Sequence, residues 1–75
     1  MKTRVFIQLS AQVGARIKQL REERNMTQQD LADHCNFDKS DMSKIESGQA
    51  NPTLKTLQVI SQALEVKVLE LFKFD

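Results

Sequence analysis

The sequence predicts a compact, all-α domain of five helices. Apolar residues recur at spacings of three and four along most of the 75-residue chain, as on one face of an amphipathic helix. Helix-capping residues stand before three of these patterns, and Gly48 and Pro52 separate two of them. The chain is 40% apolar and 28% charged, which is typical of an ordinary folded domain. We therefore expect a single domain over residues 1–75.

The size of the chain excludes several classes of protein. A domain this small buries only about 60 to 65% of its unfolded surface, so we expect neither a deep substrate cavity nor enzymatic activity. One cysteine, Cys35, and one histidine, His34, are too few for a disulfide or a structural zinc site. No cofactor or small-molecule ligand is expected. The longest apolar run, residues 5–7, is far shorter than a membrane helix needs. The sequence predicts a cytoplasmic protein without a membrane partner.

The first helix is predicted from an apolar stripe and runs to about Arg24. Asn25 tolerates the left-handed conformation that often ends a helix. The start is ambiguous, because residues 4–9 also suit a short strand. Residues 1–8 are therefore expected to form either a helical extension or an arm, and we favour the helix. The stripe consists of Phe6, Leu9, Val13, Ile17 and Leu20.

Two short helices are predicted next. Thr27 followed by Asp30 resembles a capping box, so a helix is expected from Gln28 to about Asn36. Asp38 followed by Asp41 repeats the pattern before a helix over residues 39–47. Counted from His34 to Lys39, about four residues, 35–38, separate the two helices. This spacing is typical of a helix-turn-helix motif.

The last two helices follow Pro52. Thr53 is a candidate cap for a helix that ends near Glu65, and residues 68–72 are long enough for one or two further turns. The C-terminus is apolar for so small a protein. Two interpretations remain open: it packs against the first helix, or it forms the seam of a homodimer. The residues concerned are Leu71, Phe72 and Phe74.

Several motifs match one known family in order and with the right gaps. They are IKQLREERNMTQQDLA at residues 17–32, MSKIESG at 42–48, NPTL at 51–54, QALEV at 62–66 and LF at 71–72. Over a core of about residues 9–72 the chain resembles the Cro/phage-repressor (XRE) helix-turn-helix family. The resemblance implies a lambda-repressor-like, five-helix domain. It also implies a transcriptional regulator that binds double-stranded operator DNA through the recognition helix 39–47, usually as a homodimer.

The resemblance also implies roles for individual residues. Arg21 and Glu46 match a structural salt bridge between the first and third helices, and Gln28 matches a glutamine that contacts phosphate and braces the recognition helix. Ser47 flanks the recognition positions and, with Gln49 and Asn51 of the following loop, is a candidate phosphate contact. For Gln49 and Asn51, solvated loop side chains are an equally good interpretation. The candidate base contacts form one solvent-facing stripe of Lys39, Ser40, Ser43 and Lys44.

Two features depart from the family pattern. Asn36 and Phe37 stand where a glycine and a small aliphatic residue are usual. Residues 28–47 carry two basic and five acidic side chains, for a net charge of −3, so weak non-specific DNA binding is expected. Most of the aspartates among these residues are explained by their positions at helix N-termini, where acidic side chains stabilise the helix. The alternative function is a protein-interaction module, such as an antitoxin, with a toxin or a restriction-modification component as partner. The aspartates are Asp30, Asp33, Asp38 and Asp41.

Overall fold

A computed structural model describes residues 2–74, with side chains from Gln8 onward. Its elements are α1 (Lys2–Glu23), α2 (Gln28–Cys35), α3 (Lys39–Glu46), α4 (Leu54–Ala63) and a 3₁₀ helix (Val68–Phe72). The described residues contain no strand, which confirms the all-α prediction. The prediction of five α-helices is wrong, because the fifth element is a five-residue 3₁₀ helix. A 3₁₀ helix has tighter, i to i+3 hydrogen bonds and is usually only a few residues long.

The backbone of α1 is helical from Lys2 onward. Of the two conformations expected for residues 1–8, the described part is therefore the helix, and Met1 lies outside the described residues. At the other end, Asn25 adopts the left-handed conformation at φ 56°. The Arg24 guanidinium donates to the carbonyl oxygens of Leu20 at 2.9 Å and Leu64 at 2.8 Å. Arg24 thus joins the C-terminal end of α1 to the end of α4.

The predicted capping box of α2 is confirmed. The Thr27 hydroxyl accepts from the Asp30 N–H at 3.0 Å, and the Asp30 carboxylate accepts from the Thr27 N–H at 2.8 Å. The backbone hydrogen bond from Thr27 lowers the pKa of Asp30. At the other end of α2, Asn36 is left-handed at φ 59°, and this turn leads into α3.

The α3 helix begins at Lys39 as predicted, but its N-cap and its C-terminal end differ from the prediction. Asp38 occupies the position before it, but the side chain makes no capping hydrogen bond. Its carboxylate is thus an exposed charge that the local fold does not use. The helix ends at Glu46 rather than Ser47, whose backbone at φ −85° and ψ −3° forms the C-cap.

The α4 helix is capped as predicted. The Thr53 hydroxyl accepts from the Thr56 N–H at 3.1 Å. The helix stops at Ala63, earlier than expected, because Glu65 turns left-handed at φ 60° and the Val66 N–H closes back on the Ser61 carbonyl at 2.9 Å.

The core lies between α1, α2, α3, α4 and the 3₁₀ helix. Leu71 is fully buried in it, with 0% exposure. For Leu71, the interpretation as part of a homodimer seam is therefore wrong, since the chain's own core covers this residue. Phe72 and Phe74 are half-buried. No helix in the part of the chain that the structure describes is long and apolar enough to span a membrane. The buried apolar residues are Val13, Ile17, Leu20, Leu31, Ala32, Cys35, Met42, Ile45, Leu57, Ile60, Leu64 and Leu71.

The C-terminal segment is also tied to α1 by polar contacts. The Arg16 Nε donates to the Glu70 carbonyl oxygen at 2.9 Å, and its Nη2 lies 3.5 Å from the Glu70 carboxylate. Lys73 lies 2.8 Å from the same carboxylate, and its hydrogen bond lowers the pKa of Glu70. These contacts agree with the interpretation that the C-terminus packs on the first helix.

Candidate nucleic-acid interface

A close approach of α1 to the end of α3 positions α3 in the fold. Gly14, in the middle of α1, lies directly against the backbone carbonyls of Ile45 and Glu46. A Cβ on residue 14 would stand 2.6 Å from the Glu46 carbonyl oxygen and closer still to that of Ile45. Only glycine allows the two helices to come this near. Nothing in the sequence alone singles out this glycine.

A buried ion pair fixes the same junction. The Arg21 Nε donates to Glu46 Oε2 at 2.7 Å and its Nη2 to Oε1 at 3.0 Å. The side chains are 9% and 4% exposed. The hydrogen bond to Glu46 raises the pKa of Arg21, so the guanidinium stays charged. The remaining guanidinium nitrogen donates to the Met26 carbonyl at 2.8 Å. Arg21 thus links α1, α3 and the loop before α2.

Gln28 is attached to this ion pair. Its Nε2 donates to Glu46 Oε1 at 3.1 Å, and the side chain is half-buried. This bond uses one of the two amide hydrogens. The Glu46 carboxylate therefore accepts three hydrogen bonds and orients the first side chain of α2 relative to α3.

The residues predicted to contact bases share the solvent face of α3. Their side chains are exposed, whereas Met42 and Ile45 on the opposite face are buried. The stripe therefore faces away from the core, on a helix that the ion pair and Gly14 hold in place. Its members are Lys39, Ser40, Ser43 and Lys44.

The loop after α3 places the remaining candidates beside this stripe. Gly48, at φ 80°, turns the chain so that the Gln49 N–H closes on the Lys44 carbonyl at 2.9 Å. The Gln49 and Asn51 side chains are exposed. The Ser47 hydroxyl donates to the Lys44 carbonyl at 3.2 Å, so its hydrogen is engaged locally and its oxygen can still accept.

An open groove of about 380 Å³ lies between α1, α2 and α3, and we call it the basic groove. Lys18 contributes to it, although it is not among the site residues predicted from the sequence. The available signal was its register, because Lys18 stands three residues before Arg21 on the same face of the helix. The groove is lined by Lys18, Arg21, Gln28, Lys39, Ser43, Glu46 and Ser47.

The aspartates of α2 and α3 lie elsewhere. Asp30 and Asp33 line a shallow depression with His34. Asp41 borders a different groove, beside Lys44 and the half-buried Phe37. The structure thus separates these acidic side chains from the basic groove.

Cys35 lies in the hydrophobic core. It is a buried free thiol, and burial raises its pKa to about 11, so the thiol stays protonated near neutral pH. The described part of the chain contains no group of three or more side chains that could hold a metal ion.

Comparisons with known proteins point to one family. A helix-turn-helix family model matches residues 17–71. The immunity repressor protein of Bacillus phage phi105 is 43% identical over 56 residues, which cover 75% of this chain and 39% of the repressor. The chain therefore spans less than half the length of that relative.

Solved structures of restriction-modification controller proteins share the fold. C.AhdI from Aeromonas hydrophila superposes with a TM-score of 0.81 at 31% identity, over 83% of this chain and 94% of the controller. The C.Esp1396I tetramer, in complex with its natural 35 base-pair operator, gives 0.79 at 40% identity, over 87% and 86% of the two chains. With the helix-turn-helix and its buried ion pair, these matches show that the chain belongs to the Cro/phage-repressor (XRE) helix-turn-helix family.

Proposed function

We propose that this protein is a sequence-specific DNA-binding transcriptional regulator and not an enzyme. The observation that carries the proposal is the exposed stripe on α3, held at a fixed angle to α1 by Gly14 and the Arg21–Glu46 pair. A helix held in this way can enter the major groove with its polar side chains toward the base edges. The solved complex of C.Esp1396I with operator DNA, at 40% identity, supports this function.

The stripe and its surroundings take different parts in recognition. Lysine donates to the O6 and N7 acceptors of guanine, and serine donates to or accepts from any base, so Lys39, Ser40, Ser43 and Lys44 read the bases. Hydrogen bonds to the DNA backbone come from the ends of the motif and fix its register. The residues that supply them are Gln28, Ser47, Gln49 and Asn51.

The protein acts as a homodimer in this proposal. One domain of this size makes few DNA contacts, whereas two domains bind half-sites about one helical turn apart. Phe72 and Phe74 remain half-buried in the single chain, and Leu69 nearby is 66% exposed. A second copy would cover these side chains, with Leu71 supporting them from the core.

The first test is selection of binding sites from a random duplex pool with the purified protein. We expect an enriched palindrome, bound at least about 1,000-fold more tightly than a scrambled duplex in fluorescence anisotropy. Equal affinity for the scrambled duplex, or no enriched site, contradicts operator binding. That outcome would favour the protein-interaction function.

Substitution of Lys44 tests the assignment of the stripe. We expect Lys44→Ala to weaken binding to the selected operator by about 1–3 kcal/mol and to leave the melting temperature unchanged, since the side chain is exposed. Binding to scrambled DNA should fall much less. Lys67→Ala, an exposed lysine before the 3₁₀ helix, is the control and should keep full operator affinity. Unchanged operator affinity of Lys44→Ala removes this lysine from base recognition.

A further inference from the structure

Three helices contribute polar side chains to the basic groove. Lys18 comes from α1, Gln28 from the start of α2 and Lys39 from the start of α3. Both lysines are exposed. Neither belongs to any of the ion pairs that join described residues. Their ammonium groups are therefore free to bind an external anion.

The charge of the groove is opposite to that of the helix-turn-helix as a whole. Glu46 is the one acidic residue in its lining, and Arg21 neutralises it through two hydrogen bonds. The two lysines then leave the groove with a net positive charge. Residues 28–47 together carry −3, so the positive field needed for a polyanion comes partly from α1.

The position of Lys18 is fixed by the contacts that hold α3. Gly14 and Arg21 lie on the same face of α1 and join it to the end of α3. Lys18 stands between them in the helix register. The backbone of α1 at Lys18 is therefore held at a set distance from the stripe on α3, which suits a contact that fixes the register on the DNA.

On the basis of the proposed DNA-binding function, we propose that the basic groove holds a phosphate of the DNA backbone and that Lys18 is its cationic contact on α1. The second amide hydrogen of Gln28 adds a neutral donor at the same groove. The contact is independent of base sequence. Lys18 thus supplies affinity and register, while the stripe on α3 supplies specificity.

The salt dependence of binding tests this assignment. Anisotropy titrations of the wild type and Lys18→Gln use the selected operator and its scrambled duplex, from about 50 to about 200 mM salt. We expect Lys18→Gln to weaken binding to both duplexes by a similar factor. The slope of log K against log salt should become shallower by about 0.9 for each phosphate that the protein no longer neutralises. The proposed homodimer carries two Lys18 side chains, so the slope should become shallower by about 1.8, and the weakening caused by this fourfold rise in salt should become about 12-fold smaller.

Two control variants separate a contact from a general effect of charge. Lys67→Gln removes the same charge beside the 3₁₀ helix, which packs on α1 and α4, and should keep the wild-type slope. Lys18→Arg should restore it. A wild-type slope for Lys18→Gln overturns this inference alone. Reduced affinity for the operator with full affinity for scrambled DNA also overturns it, because Lys18 would then read bases. Failure of the wild type to bind any duplex overturns the proposed function together with this inference.

Discussion

Arg21→Ala is expected to lower the free energy of unfolding by about 3 kcal/mol, because it leaves the Glu46 carboxylate buried without its cation. The Glu46 side chain is only 4% exposed. The substitution removes both hydrogen bonds to it, as well as the bond to the Met26 carbonyl. Only the Gln28 amide would remain as a partner of Glu46. Urea unfolding followed by circular dichroism measures the decrease.

Arg16→Ala provides a matched control. This arginine also lies on α1 and pairs with a glutamate, but the pair is longer, at 3.5 Å, and its side chains are 14% and 32% exposed. Arg16 additionally donates one hydrogen bond to the Glu70 carbonyl at 2.9 Å. An ion pair with this exposure is worth about 1 kcal/mol or less. We therefore expect a much smaller loss of stability than for Arg21→Ala. Equal losses of stability in the two variants would mean that burial of the Arg21–Glu46 pair does not determine its contribution.

A double substitution distinguishes the effect of losing the ion pair from the effect of leaving the Glu46 carboxylate buried without its cation. Arg21→Met combined with Glu46→Leu removes both charges and fills much of the same volume. Apolar replacement of a whole buried pair is often neutral or stabilising, so the double variant should be more stable than Arg21→Ala. Its operator affinity should nevertheless fall, because Gln28 loses the carboxylate that orients it. A double variant as unstable as Arg21→Ala would contradict the argument from the unpaired Glu46 carboxylate.

Local chemistry explains why the starts of the helices could be predicted. Thr27 and Thr53 each occupy a cap that depends on residues three positions away, so a short window of sequence contains the signal. The left-handed Asn25 and Asn36 mark helix ends for the same reason. Asp38 shows the limit of this reasoning, because the residue has the right type and place but makes no capping bond.

Features that depend on tertiary packing were harder to predict. Leu71 and Leu54 are both leucines in apolar patterns, yet Leu71 is fully buried and Leu54 is 79% exposed. Burial depends on which elements cover a residue, and residue type does not encode that. The contribution of Lys18 to the basic groove likewise arises from the approach of α1 to α3, which brings together residues distant in sequence.

The approach of α1 to α3 gives the second large prediction. In an isolated helix, Gly14→Ala would be stabilising by about 1 kcal/mol, because alanine is the better helix former. In this fold the new Cβ would overlap the carbonyl oxygens of Ile45 and Glu46. These atoms belong to the backbone, so no rotamer change relieves the overlap and α3 must move. We expect a net loss of stability of about 3 kcal/mol, at the upper end of the range for overpacking.

The decisive measurement is whether Gly14→Ala raises or lowers the melting temperature. Ala15→Gly, at the exposed neighbouring position of α1, is the control and should cost about 1 kcal/mol from helix propensity alone. A higher melting temperature for Gly14→Ala would show that α1 and α3 do not touch at this point. The predicted lower melting temperature should come with weaker operator binding per folded molecule. A displaced α3 would carry the proposed base contacts away from the proposed phosphate contacts on α1 and α2. Gly14 would then contribute to DNA recognition as well as to stability, because it sets the distance between α1 and α3.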